Sequence, residues 1–168
     1  MAWCSHGALG AAAFALCAVS IAAPASAAGC WTQADVSAAK VHEMKTRLMV
    51  AANGCRAGDA DILASYNRFV AARHAALSAA DDRLRAHFLA AAGDDGQRDY
   101  DRYTAALEQA YGAGAASAES CAEAAAMVKD VIAARGDLTA VAAREIETAT
   151  LPSSVCPADK PVVLAAAN

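Results

Sequence analysis

The stretch Asp61–Ala92, DILASYNRFVAARHAALSAADDRLRAHFLAAA, decides the fold. Its large apolar residues Ile62, Tyr66, Phe69, Val70, Leu77, Leu84 and Phe88 recur at steps of three, four or seven. That is the repeat of one face of an α-helix. The spacing predicts one long helix, opened by Asp59-Ala60-Asp61 and held through Ala92, with Ser78 as the place for any bend. Such a stripe must be laid on other helices.

The flanking sequence supplies them. Residues 32–53 form an unbroken helical pattern, with Val41, Met44, Leu48, Ala52 and Cys55 on one side. GDDG at 93–96 is a turn. A third helix covers residues 97–111, with Tyr100, Tyr103 and Leu107 on one side. GAGAAS at 112–117 is a loop. Ser120-Cys121-Ala122-Glu123 has the form of a capping box, opening a helix that lasts to Arg135. Gly136 breaks it, and Asp137 caps a short last helix carrying Leu138, Val141 and Ile146. The expected fold is all-α: an antiparallel bundle of four to five helices. The long helix protrudes, and apolar surface bared on it points to a homodimer or a protein partner.

Alanine is the commonest residue. It is the best helix former and fills little volume, so few large side chains carry the packing and covalent staples gain importance. Six Cys are encoded. Cys4 and Cys17 fall in a leader, which leaves Cys30, Cys55, Cys121 and Cys156. An even number in an exported chain reads as disulfides. Cys30 and Cys55 would sit at opposite ends of the first helix, roughly 35 Å apart, whereas a disulfide needs Cα atoms within about 7 Å. Following the chain up and down, Cys121 returns to the end where Cys55 lies. The expected pairs are Cys55–Cys121 and Cys30–Cys156, the second tying the Pro-rich tail LPSSVCPADKP to the start.

Residues 8–23, ALGAAAFALCAVSIAA, have the character of the apolar core of a secretory signal, and Ala25-Ser26-Ala27 that of its cleavage site. The run is shorter than the roughly 20 residues that cross a bilayer. The leader MAWCSHG carries no Lys or Arg, which is atypical. The organisation expected is a signal peptide at 1–27, a bundle at 28–150 and a tail at 151–168. Ala28-Gly29-Cys30 offers a lipoprotein alternative with lipid on Cys30, but Ala27 stands where that pattern wants a large aliphatic residue. Cleavage leaves about 140 residues, one domain's worth, and the whole formal charge of −4. The expected location is the periplasm or the medium. A mildly acidic chain has no basic face for nucleic acid, and the mature part has no second membrane-length run.

Motifs for chemistry are weak. HEMKT, residues 42–46, starts like the zinc-binding H-E-x-x-H but has Thr46 where the second ligand belongs. His42 therefore reads as a surface or half-buried residue. The Cys spacing offers no metal site, and no C-x-x-C-H attaches a haem. No cofactor is expected. His74 and His87 are too far apart on one helix to share a ligand. YGAGAAS, residues 111–117, lacks the strand and third Gly of a phosphate loop, and no G-x-S-x-G elbow is present. Asp81-Asp82 and Asp94-Asp95 read as solvated. Arg73 is the misfit: it stands where the apolar stripe wants a hydrophobe. Its stem either snorkels outward or its head is buried against a carboxylate or carbonyl in a polar pocket with His74, Tyr66 and Tyr103.

The stretches AAKVHEMKTRLMVAANGCR (38–56), YNRFVAARHAALSAADDRLRAHF (66–88) and YDRYTAALEQAYG (100–112), with the later Ser120-Cys121, resemble a family of small exported proteins of alphaproteobacteria. The resemblance covers roughly residues 30–121, and YN-x-FV and LRAHF are its most specific parts. It implies export and a helical fold, and it carries no catalytic residues. Some members bear an S-adenosylhomocysteine hydrolase name, which a short all-helical chain without a Gly-rich nucleotide fingerprint does not support. The function expected is a non-enzymatic, exported structural or protein-interaction module. The alternative is a small-ligand or metal binder using Arg73, His74, Tyr66 and Tyr103. A hydrolase with a site assembled from scattered residues is the least favoured.

Overall fold

The computed structural model describes residues 29–55, 61–114, 116–134 and 136–157. The expected signal peptide with its cleavage site, the Asp59-Ala60 helix opening and the tail after Pro157 lie outside the described residues.

Five α-helices follow in order: α1 Gln33–Gly54, α2 Asp61–Ala92, α3 Gly96–Gly112, α4 Ala118–Ala133 and α5 Leu138–Glu145. The protein is an all-α bundle. Trp31, ahead of α1, meets Phe88 near the end of α2, so the two helices are antiparallel. Phe88 also meets Tyr100 and Tyr103 early in α3, so α3 turns back up. α4 starts beside the end of α1, where Cys55 and Cys121 have Cα atoms 5.7 Å apart and are bonded. Cys30 and Cys156 are bonded with Cα atoms 4.9 Å apart. Both expected disulfides are present.

The caps explain the boundaries. Thr32 closes a reciprocal box with Asp35 at the start of α1, and the Asp137 carboxylate accepts the Thr139 N–H at the start of α5. At α4 the expected cap is displaced. Ser117, not Ser120, is the N-cap, and Ser120 completes the box as its third residue. The side-chain oxygen of Ser120 caps as Glu would at that position, so the helix starts one turn early.

α1 is the hub, packed against α2, α3, α4 and α5. It therefore has no solvent side, and its polar residues Asp35, His42, Glu43 and Thr46 are buried together with Val41, Met44 and Leu48. α2 behaves differently. It runs unbroken through Ser78, and Ile62, Phe69, Leu77, Leu84 and Phe88 all face the bundle. Among the described residues, the large hydrophobics left exposed are Leu89, Ile132 and Val155. The outward face of α2 is mainly alanine and charge, not an apolar stripe.

α3 and α2 approach backbone to backbone at Gly96. A Cβ there would lie 2.6 Å from both the Leu89 Cα and the Phe88 carbonyl oxygen. No side-chain rotation relieves that. Gly96→Ala is expected to cost about 2–3 kcal/mol as overpacking, read as a lowered urea midpoint. A variant as stable as the parent would show that the turn at 93–95 gives way.

Candidate functional site

Two polar constellations hang from α1. In the first, His42 Nδ1 stands 2.8 Å from Asp81 Oδ1 on α2, and Lys45 Nζ donates to Asp81 Oδ2 at 2.7 Å. The Thr104 hydroxyl on α3 lies 3.2 Å from His42 Nε2. With the proton on Nδ1 against the carboxylate, Nε2 accepts from that hydroxyl. Hydroxyl, imidazole and carboxylate in line is the order that activates a nucleophile in acyl transfer. Here His42 is only 2% exposed, and the three cavities of 570, 470 and 270 Å³ are lined by other residues. The row is a clamp joining α1, α2 and α3. His42 is thus fully buried and not a surface group, because its helix is enclosed. Asp81, read as solvated, is half-buried and paired, whereas Asp82 is exposed.

The second constellation runs along the other end of α1. Asp35 accepts from Arg83 Nε at 2.6 Å and from the Thr32 backbone N–H and hydroxyl. His87 Nδ1 lies 3.3 Å from Asp35 Oδ2, the oxygen that also accepts from Thr32. Further along, Glu43 accepts from the Tyr111 hydroxyl and from both the N–H and hydroxyl of Thr150, all within 2.8 Å. These bonds fix the segment after α5. That segment then pairs with the N-terminus: Trp31 N–H donates to the Ser154 carbonyl and Cys156 N–H to the Trp31 carbonyl.

Burial alone would push the carboxyls of Asp35 and Asp81 up. The hydrogen bonds from Thr32 and Arg83, and from His42 and Lys45, outweigh it, so both sit below the ordinary carboxyl range. A depressed carboxyl adds stability above its unfolded value, and that stability is lost as pH falls through the folded value. Unfolding midpoints are expected to drop below about pH 4, and less steeply in Asp81→Asn. An unchanged acid profile in that variant would count against the clamp.

The 570 Å³ cavity is an open cleft between the end of α2, the outer side of α3 and the segment Thr150–Ser153. Trp31, Phe88, Tyr103, Leu151 and Pro152 give it an apolar wall, with His87 set into it. The His87 ring lies against Trp31, centroids 4.2 Å apart. Most polar groups of the wall are already engaged. Trp31 Nε1 donates to Ser153 Oγ at 3.0 Å, that hydroxyl donates to the Gly29 carbonyl, and Arg102 pairs with Asp99 on the rim. Burial pushes the Tyr103 hydroxyl well up, with the Glu43 charge adding to it. Among the described residues it is the buried side-chain polar atom with no hydrogen-bond partner.

The four ligand residues read from the sequence do not converge. Arg73 donates to the Ala134 and Gly136 carbonyls, at the end of α4. It is half-buried and engaged with carbonyls, the second of its two expected fates, but it caps a helix and lines no pocket. His74 is exposed. Tyr66 is half-buried beside Phe69. Tyr103 lies near Phe88, about 22 Å along α2 from Arg73. Arg83, His87 and Phe88, which the sequence clusters with Arg73 and His74 on the long helix, stand instead at its far end with Asp35 and Trp31. Trp31 is what the sequence reading missed as a site.

Comparison with family models, curated proteins and solved structures finds no match to this chain. The site therefore rests on its own geometry. Among the described residues, no three His, Cys, Asp or Glu side chains form a group able to hold a metal, and no helix is long and apolar enough to cross a membrane.

Proposed function

We propose that this chain is an exported, non-enzymatic helical binding protein, and that the cleft beside Trp31 takes one small, mostly apolar molecule. The observation that carries the reading is that cleft. It is large enough for a small ligand, apolar in its wall, and built where the two ends of the domain are bolted together by Cys30–Cys156. Two disulfides favour an oxidising compartment, in keeping with the signal-like residues 8–27 and with membership of the exported family the sequence resembles. The Cys30 sulfur is committed to Cys156, which weighs against a lipid on the same atom. Docking of a protein on α2 has less support, because its large apolar side chains other than Leu89 are buried or half-buried.

Titration of the native chain with anilinonaphthalene sulfonate tests the binding reading. A saturable enhancement with a stoichiometry of one is expected, and Ala106→Phe, which fills the cleft from the exposed side of α3, is expected to abolish it. Enhancement unaffected by that substitution would overturn the reading. Intact mass of the exported protein, beginning at Ala28 with no free thiol, tests the location. A species beginning at a lipidated Cys30 would sink it.

A further inference from the structure

We infer that the cleft is specific for a monocarboxylic acid: an apolar body along Ala91, Leu151 and Pro152, with its carboxylate on His87. This rests on the binding reading above and names its ligand class. The apolar wall supplies no polar selectivity, so the ligand's polar group must meet whatever the wall leaves open. The Ser153 hydroxyl and the Trp31 indole N–H are consumed within the chain. Thr150 is consumed by Glu43, and Arg102 is paired with Asp99.

His87 is different. Its Nδ1 faces Asp35 at 3.3 Å. Its Nε2 makes no hydrogen bond among the described residues and, unlike the Tyr103 hydroxyl, is not sealed from solvent. A carboxylate beside Nδ1 keeps the proton on that nitrogen and leaves Nε2 to the cleft. Asp35 is itself balanced by Arg83. An imidazolium at 87 therefore leaves one positive charge in the row Arg83–Asp35–His87, and one carboxylate in the cleft neutralises it. A carboxylate entering the cleft brings no proton of its own, so one proton is taken up from solvent onto Nε2. The imidazolium so formed lies between two carboxylates and against the Trp31 ring, 4.2 Å away, where an aromatic face favours a cation. A hydroxyl on the same body forms one neutral hydrogen bond, which is about half as strong as a charge-assisted one.

Calorimetric titration of the disulfide-intact chain with decanoate, decanol and decylamine tests this, since the three share one body. Decanoate is expected to bind with a stoichiometry of one and at least tenfold tighter than decanol, with decylamine as the control for the body and for the Asp99 carboxylate on the rim. His87→Gln is expected to bring decanoate down to the affinity of decanol. Ala106→Phe is expected to remove all three. Equal binding of acid and alcohol, or a preference that survives His87→Gln, would overturn the acid specificity and leave the binding reading standing. No binding by any of the three, together with no dye binding, overturns both. If His87→Gln fails to fold, the acid-to-alcohol ratio in the parent chain still decides the matter.

Discussion

Replacing Cys30 and Cys156 together by Ser is expected to lower stability by about 5 kcal/mol. The bridge spans 126 positions, and releasing a loop of that length returns that much chain entropy to the unfolded state. Cys55–Cys121 spans 66, and its removal is expected to cost about 4 kcal/mol by the same reasoning. The first loss reaches further than the second. Cys156 holds the segment that pairs with Trp31 and walls the cleft, and without it the Glu43–Thr150 bonds, the Trp31 and Gly29 contacts and the packing of Leu151 keep that segment down. Urea unfolding of the two double variants, read at constant slope, gives both numbers. Ligand or dye binding is expected to weaken in Cys30→Ser/Cys156→Ser and to persist in Cys55→Ser/Cys121→Ser. A loss of less than about 1 kcal/mol in the first would mean that the non-covalent contacts already hold the ends together.

Trp31→Ala is expected to cost about 3–5 kcal/mol, the range for deleting a buried large aromatic side chain. The indole is fully buried, with the rings of His87, Phe88 and Tyr103 at 4.2, 5.7 and 6.0 Å. In an alanine-rich core few neighbours are large enough to relax into the space. The indole N–H also leaves the Ser153 hydroxyl without its donor. Melting is expected to fall by roughly 10–20 °C. Trp31→Phe keeps a ring and loses the donor, so a drop nearer 1–2 kcal/mol is expected. If Phe proves as damaging as Ala, the hydrogen bond and not the packing dominates at this position.

How much of this was legible depended on how each helix is surrounded. α2 packs along one side only, so its buried residues fall on one stripe and the period shows through. α1 is enclosed by four partners, and a helix without a solvent face gives no such period. Its polar residues looked like surface for that reason. A trace was there: Asp35, His42 and Thr46 stand seven and four apart, on one stripe beside the apolar one. Their partners could not be found the same way, since Asp81 and Thr104 lie 39 and 62 positions from His42 on other helices. The disulfides were legible because a rigid helix forbids one pairing outright. Arg73 was rightly singled out as a misfit, but a guanidinium serves helix carbonyls as readily as a ligand, and the sequence does not distinguish the two. The cleft was invisible because it forms only where residues 29–31 meet 150–153.

That meeting also dictates when the domain can assemble. Trp31 and Ser153 are 122 positions apart, so the first aromatic ring of the described bundle has His87, Phe88 and Tyr103 to pack on well before the segment that hydrogen-bonds it exists. Until then Glu43 lacks Thr150 and the end of α1 has no lid. Growth of the chain from one end cannot complete the fold piece by piece. The contacts of residues 29–31 with 153–156 come after every helix between them has been made, and such long-range closure is slow. The seam that walls the cleft is thus the last part of the described bundle to shut.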